Sequence, residues 1–230
     1  MKLVINGDDL GYTKANTLGI IEGYRQGILR STTALANSRY LEFARDACAD
    51  CDGLGVGVHL TLTLGHALTK NKTLTQPDGT FLSRKEIYTA DLDMDEVYAE
   101  WKAQIERFIE VFGHMPTHLD SHHSVHDFNE RHLAVARRLA SEYGLELRRY
   151  GRFAFVKGFY ADTATPETLI ALMEEHADES IEIMTHPGFC DLELYRESSY
   201  SVQRVQELDA LCSESVLAYV RAHGVELVHY

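Results

Sequence analysis

The side chains best suited to chemistry are concentrated in one run of nine residues, from His118 to His126. Four histidines and one aspartate, Asp120, fall within this run, and six of the twelve histidines in the chain lie between His114 and His132. Imidazole is the commonest metal ligand and the only side chain whose ordinary pKa lies near neutral pH. The density of imidazole therefore predicts a metal site rather than a chance cluster.

Other acids and histidines stand where predicted strands end. In parallel α/β folds, active sites gather at the carboxyl ends of the strands. Six candidate residues occupy such positions: Asp8, Asp9, His59, Asp120, His122 and His186. One carboxylate and two neutral imidazoles on one face form a good open site for Zn²⁺ or another divalent ion. A bound divalent ion would polarise a carbonyl group and lower the pKa of a bound water.

Two pairs of neighbouring residues complicate this prediction. Asp8 and Asp9 point to opposite faces of an ideal strand, so both reach one site only where the strand has broken. Gly11 makes such a break plausible, and one aspartate would then bind metal while the other acts as general base. The alternative is that the pair only caps the following turn. For His122 and His123 we expect that one of the two points away from a shared site.

The elements that must position these residues alternate between strand and helix about seven times. Strands are predicted near residues 2–6, 32–35, 55–62, 117–120, 145–149, 181–185 and 225–228. Helices are predicted between them, including a long one from Glu96 to Phe112 and another that Asp127 caps. This alternation is typical of a parallel sheet covered by helices. We predict an α/β fold with about seven parallel strands in an incomplete or distorted TIM-like barrel, in one domain over residues 1–230. The segment from Leu64 to Asp93 is the least regular and is interpreted as an insertion that covers a site or makes a subunit contact.

Composition excludes several kinds of partner. The net charge of −13 disfavours nucleic acid and anionic membranes, and favours a neutral or cationic small substrate. No signal peptide and no apolar run of membrane-spanning length is visible, which indicates a cytoplasmic protein. Cys48 and Cys51 have the spacing of a redox or zinc motif, but their acidic neighbours favour ordinary reduced thiols. A homodimer is the commonest default for the oligomeric state.

These motifs resemble those of the YdjC-like carbohydrate deacetylases, a family whose best-defined member acts on diacetylchitobiose. The similarity runs from the first strand to beyond His186, and the stretch Pro-Thr-His-Leu-Asp-Ser-His-His is the most specific part of it. The matching stretches are Asn6–Gly11, Gly27–Leu35, Gly57–Leu60, Pro116–His123 with Val125 and His126, and Thr185–Phe189. The resemblance implies an incomplete (β/α) barrel and a divalent metal, Mg²⁺ or Zn²⁺. It also implies hydrolysis of the N-acetyl group of an acetylated amino sugar, which releases acetate.

The resemblance also implies roles for individual residues. It makes Asp9, His59 and His122 the metal ligands and Asp8 the general base, although Asp8 and Asp9 could be exchanged. His186 would be the acid that protonates the leaving amine. Arg148 would correspond to an arginine of the family near the site, and we expect it to bind substrate.

Three aromatic residues and one departure from the family pattern complete these expectations. Tyr12, Phe189 and Tyr195 lie near the site segments and could stack on the apolar face of a sugar, although packing in the core is an equal alternative. The family usually has a third consecutive histidine where this chain has Ser124. This change puts hydrogen bonding around the ligands or substrate detail in doubt and leaves the proposed ligands intact.

Two other functions remain open from the sequence. The chain could hydrolyse another amide, an ester or a phosphoester with the same metal, although it contains no phosphate-binding loop of the GxxxxGK[ST] or GxGxxG type. It could also be a sugar-binding or metal-binding relative that has lost turnover. The intact set of acids and histidines at the strand ends argues against loss of turnover.

Overall fold

A computed structural model describes all residues from Met1 to Tyr230, and its centre is a parallel β-sheet. The strands are β1 (Lys2–Leu10), β2 (Ser31–Ala34), β3 (Gly55–Leu60), β4 (His118–Ser121), β5 (Glu146–Leu147), β6 (Ala154–Val156), β7 (Ser180–Thr185) and β8 (Glu226–Leu227). Seven of them follow one another in the order β5-β4-β3-β2-β1-β7-β6, and β8 pairs with the start of β1. Every pairing is parallel. Because β5 and β6 do not pair with each other, the barrel stays open, which confirms the predicted incomplete barrel.

Strand β6 is the strand that the sequence analysis missed. It contains three residues and pairs only with β7. Three residues are too few to show the alternation that distinguishes a strand from a loop.

Nine α-helices cover the sheet and fill the connections between its strands. They are α1 (Lys14–Gln26), α2 (Leu41–Cys48), α3 (Arg84–Ile87), α4 (Met94–Phe112), α5 (Glu130–Tyr143), α6 (Pro166–Glu175), α7 (Leu192–Glu197), α8 (Val202–Leu211) and α9 (Glu214–Ala222). Side-chain caps and glycines set the ends of the two longest helices. Asp93 accepts a hydrogen bond from the backbone of Asp95 at the start of α4, and Gly113 and Gly144 end α4 and α5 in the left-handed conformation that glycine adopts at little cost. None of the helices combines the length and apolarity needed to cross a lipid bilayer.

Two details of the helices differ from expectation. The cap of α5 is Asn129, whose side chain accepts from the backbone of Arg131 and His132, and not Asp127. Asp127 instead pairs with Arg149 at 2.7 Å. The last helical region is split in two at Cys212, since Ser213 caps a new helix by accepting from the backbone N–H of Val216.

The irregular segment from Leu64 to Asp93 is tied to α4 by two glutamates one helical turn apart. Glu96 accepts hydrogen bonds from the backbone of Lys72 and Thr73. Glu100, which is fully buried, accepts from the backbone of Leu68 and Thr69. Backbone N–H groups that lie outside any helix or strand are thereby satisfied. These bonds hold the segment, whose only α-helix is the short α3, against α4.

Replacing Glu100 with alanine is expected to lower the free energy of unfolding by about 2–4 kcal/mol, because several donors lose a charged acceptor inside the protein. For a chain of this length the thermal midpoint would fall by roughly 5–15 °C. Thermal denaturation followed by circular dichroism measures this shift. Glu110→Ala, on an exposed position of the same helix, is the matched control and should change the midpoint by much less.

Candidate active site

A bulge at the end of β1 brings both aspartates to the same side of the sheet. The register between β1 and β2 shifts between Gly7 and Leu10, and Asp9 has a φ of 70°, in the left-handed region. The alternation of the strand is therefore broken at Asp9 itself, two residues before the break expected at Gly11. Asp8 and Asp9 are both buried and both line the cavity at the strand ends.

Asp9 meets two histidines from other strands. Its Oδ1 atom lies 3.2 Å from Nε2 of His59, on β3, and 2.9 Å from Nδ1 of His122, which follows β4. One ligand atom from each of the three residues falls within 4.8 Å of the others. The three residues lie far apart in the sequence, and the structure brings them together as the sequence analysis expects of a metal site.

Asp120 fixes the orientation of His59. Its Oδ1 atom lies 2.6 Å from Nδ1 of His59, and its Oδ2 atom accepts a hydrogen bond from Thr33. A carboxylate on one ring nitrogen directs the other nitrogen toward a metal. Burial by itself would lower the pKa of His59, but Asp120 and Asp9 outweigh it and raise this pKa to about 10. The sequence analysis placed Asp120 at a strand end without assigning it this role.

The charges around His59 fit a divalent cation. Both ring nitrogens face carboxylate oxygens, whereas a neutral imidazole carries only one N–H. A cation or a second proton must therefore lie between Nε2 and Asp9. The connected ion pairs contain four carboxylates and two guanidinium groups: Asp8, Asp9, Asp120 and Glu182 with Arg148 and Arg204. The carboxylates outnumber the guanidinium groups in these ion pairs, so an added cation would meet a favourable charge.

A second group of possible ligands, formed by Asp8, His59 and Asp120, fits a metal less well. The guanidinium group of Arg148 already lies between the two aspartates, 2.7 Å from Asp8 and 2.9 Å from Asp120. Asp120 of this group does not line the cavity, whereas all three residues of the first group do. The group built on Asp9 is therefore the better candidate for a metal.

The position of Arg148 corrects the expectation that it binds substrate. Its side chain is buried, does not line the cavity, and binds both oxygens of Asp8 at 2.7 and 2.8 Å. It also donates to Glu182 at 2.6 Å. Arg148 lies behind Asp8 and orients it, because the bidentate guanidinium fork matches the plane of a carboxylate.

The turn after β4 presents both His122 and His123 to the cavity. His123 and Ser124 have φ values of 56°, a conformation that is costly for residues other than glycine. The left-handed turn removes the alternation on which we based the expectation that one histidine points away. The two imidazole rings lie 4.0 Å apart between centroids. Ser124 also lines the cavity, and its hydroxyl accepts a long hydrogen bond from Arg149.

Two charged residues of α8 complete the site, and the sequence analysis missed both. Arg204 donates to Oδ2 of Asp9 at 2.7 Å, and Glu207 accepts hydrogen bonds from the backbone of His186 and from the hydroxyl group of Tyr200. Burial by itself would raise the pKa of Asp9, but His122 and Arg204 outweigh it and hold this pKa well below its ordinary value. Arg204 and Glu207 lie three residues apart on the buried face of α8, alongside Leu208 and Leu211. In the sequence, the only sign that these two residues face the interior is that they share a helical face with apolar residues.

The cavity has a volume of about 590 Å³ and aromatic walls on two sides of Asp9. The tilted rings of Tyr88 and Phe128 pack with their centroids 4.1 Å apart, and Tyr160 and Tyr200 stack at 4.6 Å beside His186. Among the aromatic residues predicted to stack on a sugar, Tyr12 lines the cavity. Phe189 and Tyr195 do not line it, and both side chains are exposed.

The remaining histidines of the dense run are structural. His118 stacks on Tyr230 with 3.9 Å between centroids, and burial lowers its pKa to about 3. His126 bonds to Ser121, and burial lowers its pKa to about 4. Both imidazoles are neutral at physiological pH and serve packing rather than chemistry.

Comparison with known proteins gives a consistent result along the whole chain. Residues 2–222 match the model of a protein family described as YdjC-like protein. A Clostridium beijerinckii protein named carbohydrate deacetylase is 35% identical over 245 residues, which cover 100% of this chain and 99% of that protein. An Enterococcus faecalis protein of the same name is 37% identical, with 100% of this chain and 97% of that protein covered. A crystal structure from Enterococcus faecalis, described provisionally as a cellobiose-phosphate cleavage protein, superposes with a TM-score of 0.93 at 34% identity, over 100% of this chain and 97% of that one.

Proposed function

Because the chain belongs to the YdjC-like family, we propose that it is a divalent-metal-dependent carbohydrate deacetylase that removes the N-acetyl group from acetylated amino sugars. The observation that carries this proposal is the convergence of Asp9, His59 and His122 at the wall of an open cavity, with Asp8 and His186 beside them. Small chitooligosaccharides such as diacetylchitobiose are the substrates that we propose to test first. Mg²⁺ and Zn²⁺ are the metals that we propose to test first.

Asp9, His59 and His122 would hold the metal, which would polarise the amide carbonyl and lower the pKa of a water. Asp8 would accept the proton of the attacking water. It is suited to this task because Arg148 binds both of its oxygens and Asn6 donates to one of them, so that its carboxylate is held rigidly at the cavity wall.

His186 would donate a proton to the departing amine on the other side of the cavity. An amine leaves an amide only when it is protonated, so the base and the acid must act on different atoms. Glu207 supports His186 by accepting from its backbone N–H, and Tyr160 and Tyr200 enclose the ring from two sides. These contacts limit the positions that the imidazole can take.

The aromatic pairs on the cavity walls would hold the sugar rings, which have one apolar face and many hydroxyl groups. Phe128 is 38% exposed although it is a large apolar residue. A sugar bound through its N-acetyl group at Asp9 would leave the next sugar of the chain free to contact Tyr88 and Phe128. The turn from His122 to Asp127 connects this wall to the ligands.

Phe128→Ala is expected to raise the KM for diacetylchitobiose roughly threefold to tenfold and to leave kcat nearly unchanged, because the lost contact is remote from the amide. Acetate release at varied substrate concentration measures both constants. Tyr195→Ala removes an aromatic residue that is 64% exposed and outside the cavity, and should change neither constant. An unaltered KM in Phe128→Ala would exclude this wall from the substrate site.

The proposed function is tested by acetate release from diacetylchitobiose, measured with and without a chelator and after a divalent metal has been added back. Cellobiose phosphate is the comparison substrate, because of the provisional description of the Enterococcus faecalis structure. Most glycosidases use a carboxylic acid that retains its proton near neutral pH. Asp8 and Asp9 instead contact guanidinium groups, which favours the amide reaction. Glucose or its phosphate as the only product would overturn the proposal.

A further inference from the structure

Arg204 is a buried cation that touches a carboxylate of the candidate metal site. It is 2% exposed and comes from α8, 195 positions along the chain from Asp9. Its Nη2 atom donates to Asp9 at 2.7 Å, and its Nε atom donates to the backbone oxygen of Tyr200 at 2.8 Å. The guanidinium carbon also lies 5.4 Å from the ring centroid of Tyr12. These contacts hold the group in one place.

The two oxygens of Asp9 consequently face different partners. Oδ1 faces the ring nitrogens of His59 and His122, at 3.2 and 2.9 Å, whereas Oδ2 is taken by Arg204. Asp8 differs, because Arg148 binds both of its oxygens at once. The arginine beside Asp9 leaves one oxygen available on the side of the histidines.

A positive charge next to a cation site weakens the binding of the cation, so its presence there needs a compensating reason. The Nη1 atom of Arg204 is buried without a hydrogen-bond partner, a further cost. A carboxylate with two free oxygens can bind a metal through both and occupy a position that substrate or water would otherwise take. Restricting Asp9 to one oxygen keeps that position open.

We propose that Arg204 is a positioning residue that restricts Asp9 to one metal-facing oxygen, so that the bound cation is held less tightly and keeps an open coordination position. This inference rests on the proposed function for the identity of the metal site. The contact between Arg204 and Asp9 lowers the affinity for the metal and leaves a coordination position open to substrate.

The test compares Arg204→Met with the wild-type protein, using Co²⁺ as the metal. Methionine fills a similar volume without charge or donors, which frees Oδ2 of Asp9. We expect the dissociation constant for Co²⁺ to fall on the order of tenfold. The visible absorption of bound Co²⁺ should weaken as its coordination number rises. At saturating metal, kcat for acetate release should fall roughly tenfold to a hundredfold.

Arg221→Met, at an exposed position of α9, is the control and should leave the metal affinity and the spectrum unchanged. If Arg204→Met does not fold, Arg204→Gln keeps an N–H donor and removes the charge, and the same tighter binding of Co²⁺ is expected. Weaker or unchanged binding in the folded variant overturns the proposal. Loss of the fold in both variants does so as well, because Arg204 would then be a structural residue.

Failure of the proposed deacetylase function can be told apart from failure of the proposed role of Arg204. Metal affinity and the Co²⁺ spectrum do not depend on acetate release. A wild-type protein that binds Co²⁺ but releases no acetate refutes the deacetylase, while the order of affinities still decides the role of Arg204.

Discussion

Replacing His122 with alanine is expected to abolish metal retention and to reduce acetate release by about 10³-fold or more. His122 would supply one of the three proposed ligand atoms, and its Nδ1 atom lies 2.9 Å from Asp9. Loss of a direct ligand should weaken metal binding by more than about 100-fold, since even loss of a residue that only supports a ligand costs 10- to 100-fold. Without the metal, several kcal/mol of stabilisation of the transition state are lost.

Elemental analysis of the purified variant, together with the acetate assay, measures both effects. His223→Ala is the matched control, because His223 is exposed and bonds only to the backbone of its own helix. Full metal occupancy in His122→Ala would refute the assignment of this ligand. A variant that loses metal but keeps its turnover would refute the metal-dependent mechanism.

The two neighbouring aspartates are expected to give opposite results when each is changed to asparagine. Asp8→Asn should retain the metal and lose about 10²- to 10⁴-fold in kcat, the range that a general base contributes. Asp9→Asn should lose the metal, because the carboxylate that faces both histidines is replaced by a neutral amide. The geometry supports this division, since Arg148 binds both oxygens of Asp8 and leaves one oxygen of Asp9 for the metal.

Metal content and kcat, measured on both variants at the same pH, separate the two roles. Asp8→Asn also leaves Arg148 with fewer acceptors, although Asp120 and Glu182 remain bonded to it. A thermal midpoint for each variant therefore accompanies the kinetics, so that a loss of rate is not confused with unfolding. Unchanged turnover in Asp8→Asn rules out its role as base, and metal loss in Asp8→Asn with retention in Asp9→Asn exchanges the two assignments.

The candidate metal ligands could be found from the sequence because each one lies at or just beyond the carboxyl end of a strand. Strands with apolar, β-branched residues are visible from periodicity, and the carboxyl edge of a parallel sheet brings their ends together. This reasoning places Asp9, His59 and His122 among the six candidates at one edge of the sheet, and the family resemblance selects these three as ligands. It also gave the incomplete barrel, because the alternation of strand and helix is regular along the chain.

The supporting residues could not be found in the same way. Arg204 and Glu207 lie within a helix, where a charged residue usually faces solvent, and only the packing of α8 turns them toward the site. Arg148 was placed near the site, but its depth behind Asp8 depends on how far β5 extends. His123 depends on a left-handed turn that no residue type at that position requires. The positions of these side chains depend on how the helices and turns pack in three dimensions, and the order of residue types along the chain does not reveal this packing.

The segment from Leu64 to Asp93 is attached to α4 mainly through its backbone, so most of its side chains are not needed to hold it in place. Glu96 and Glu100 bind backbone N–H groups, which every residue except proline provides, and they also accept from the hydroxyl groups of Thr73 and Thr69. Arg84 and Tyr88 face the cavity from this segment and take no part in these bonds, so substitutions there should leave the anchor intact. Differences in sugar preference within the family should accumulate in this replaceable stretch, and exchanging it between two relatives offers a route to transplanting that preference while the catalytic framework stays the same.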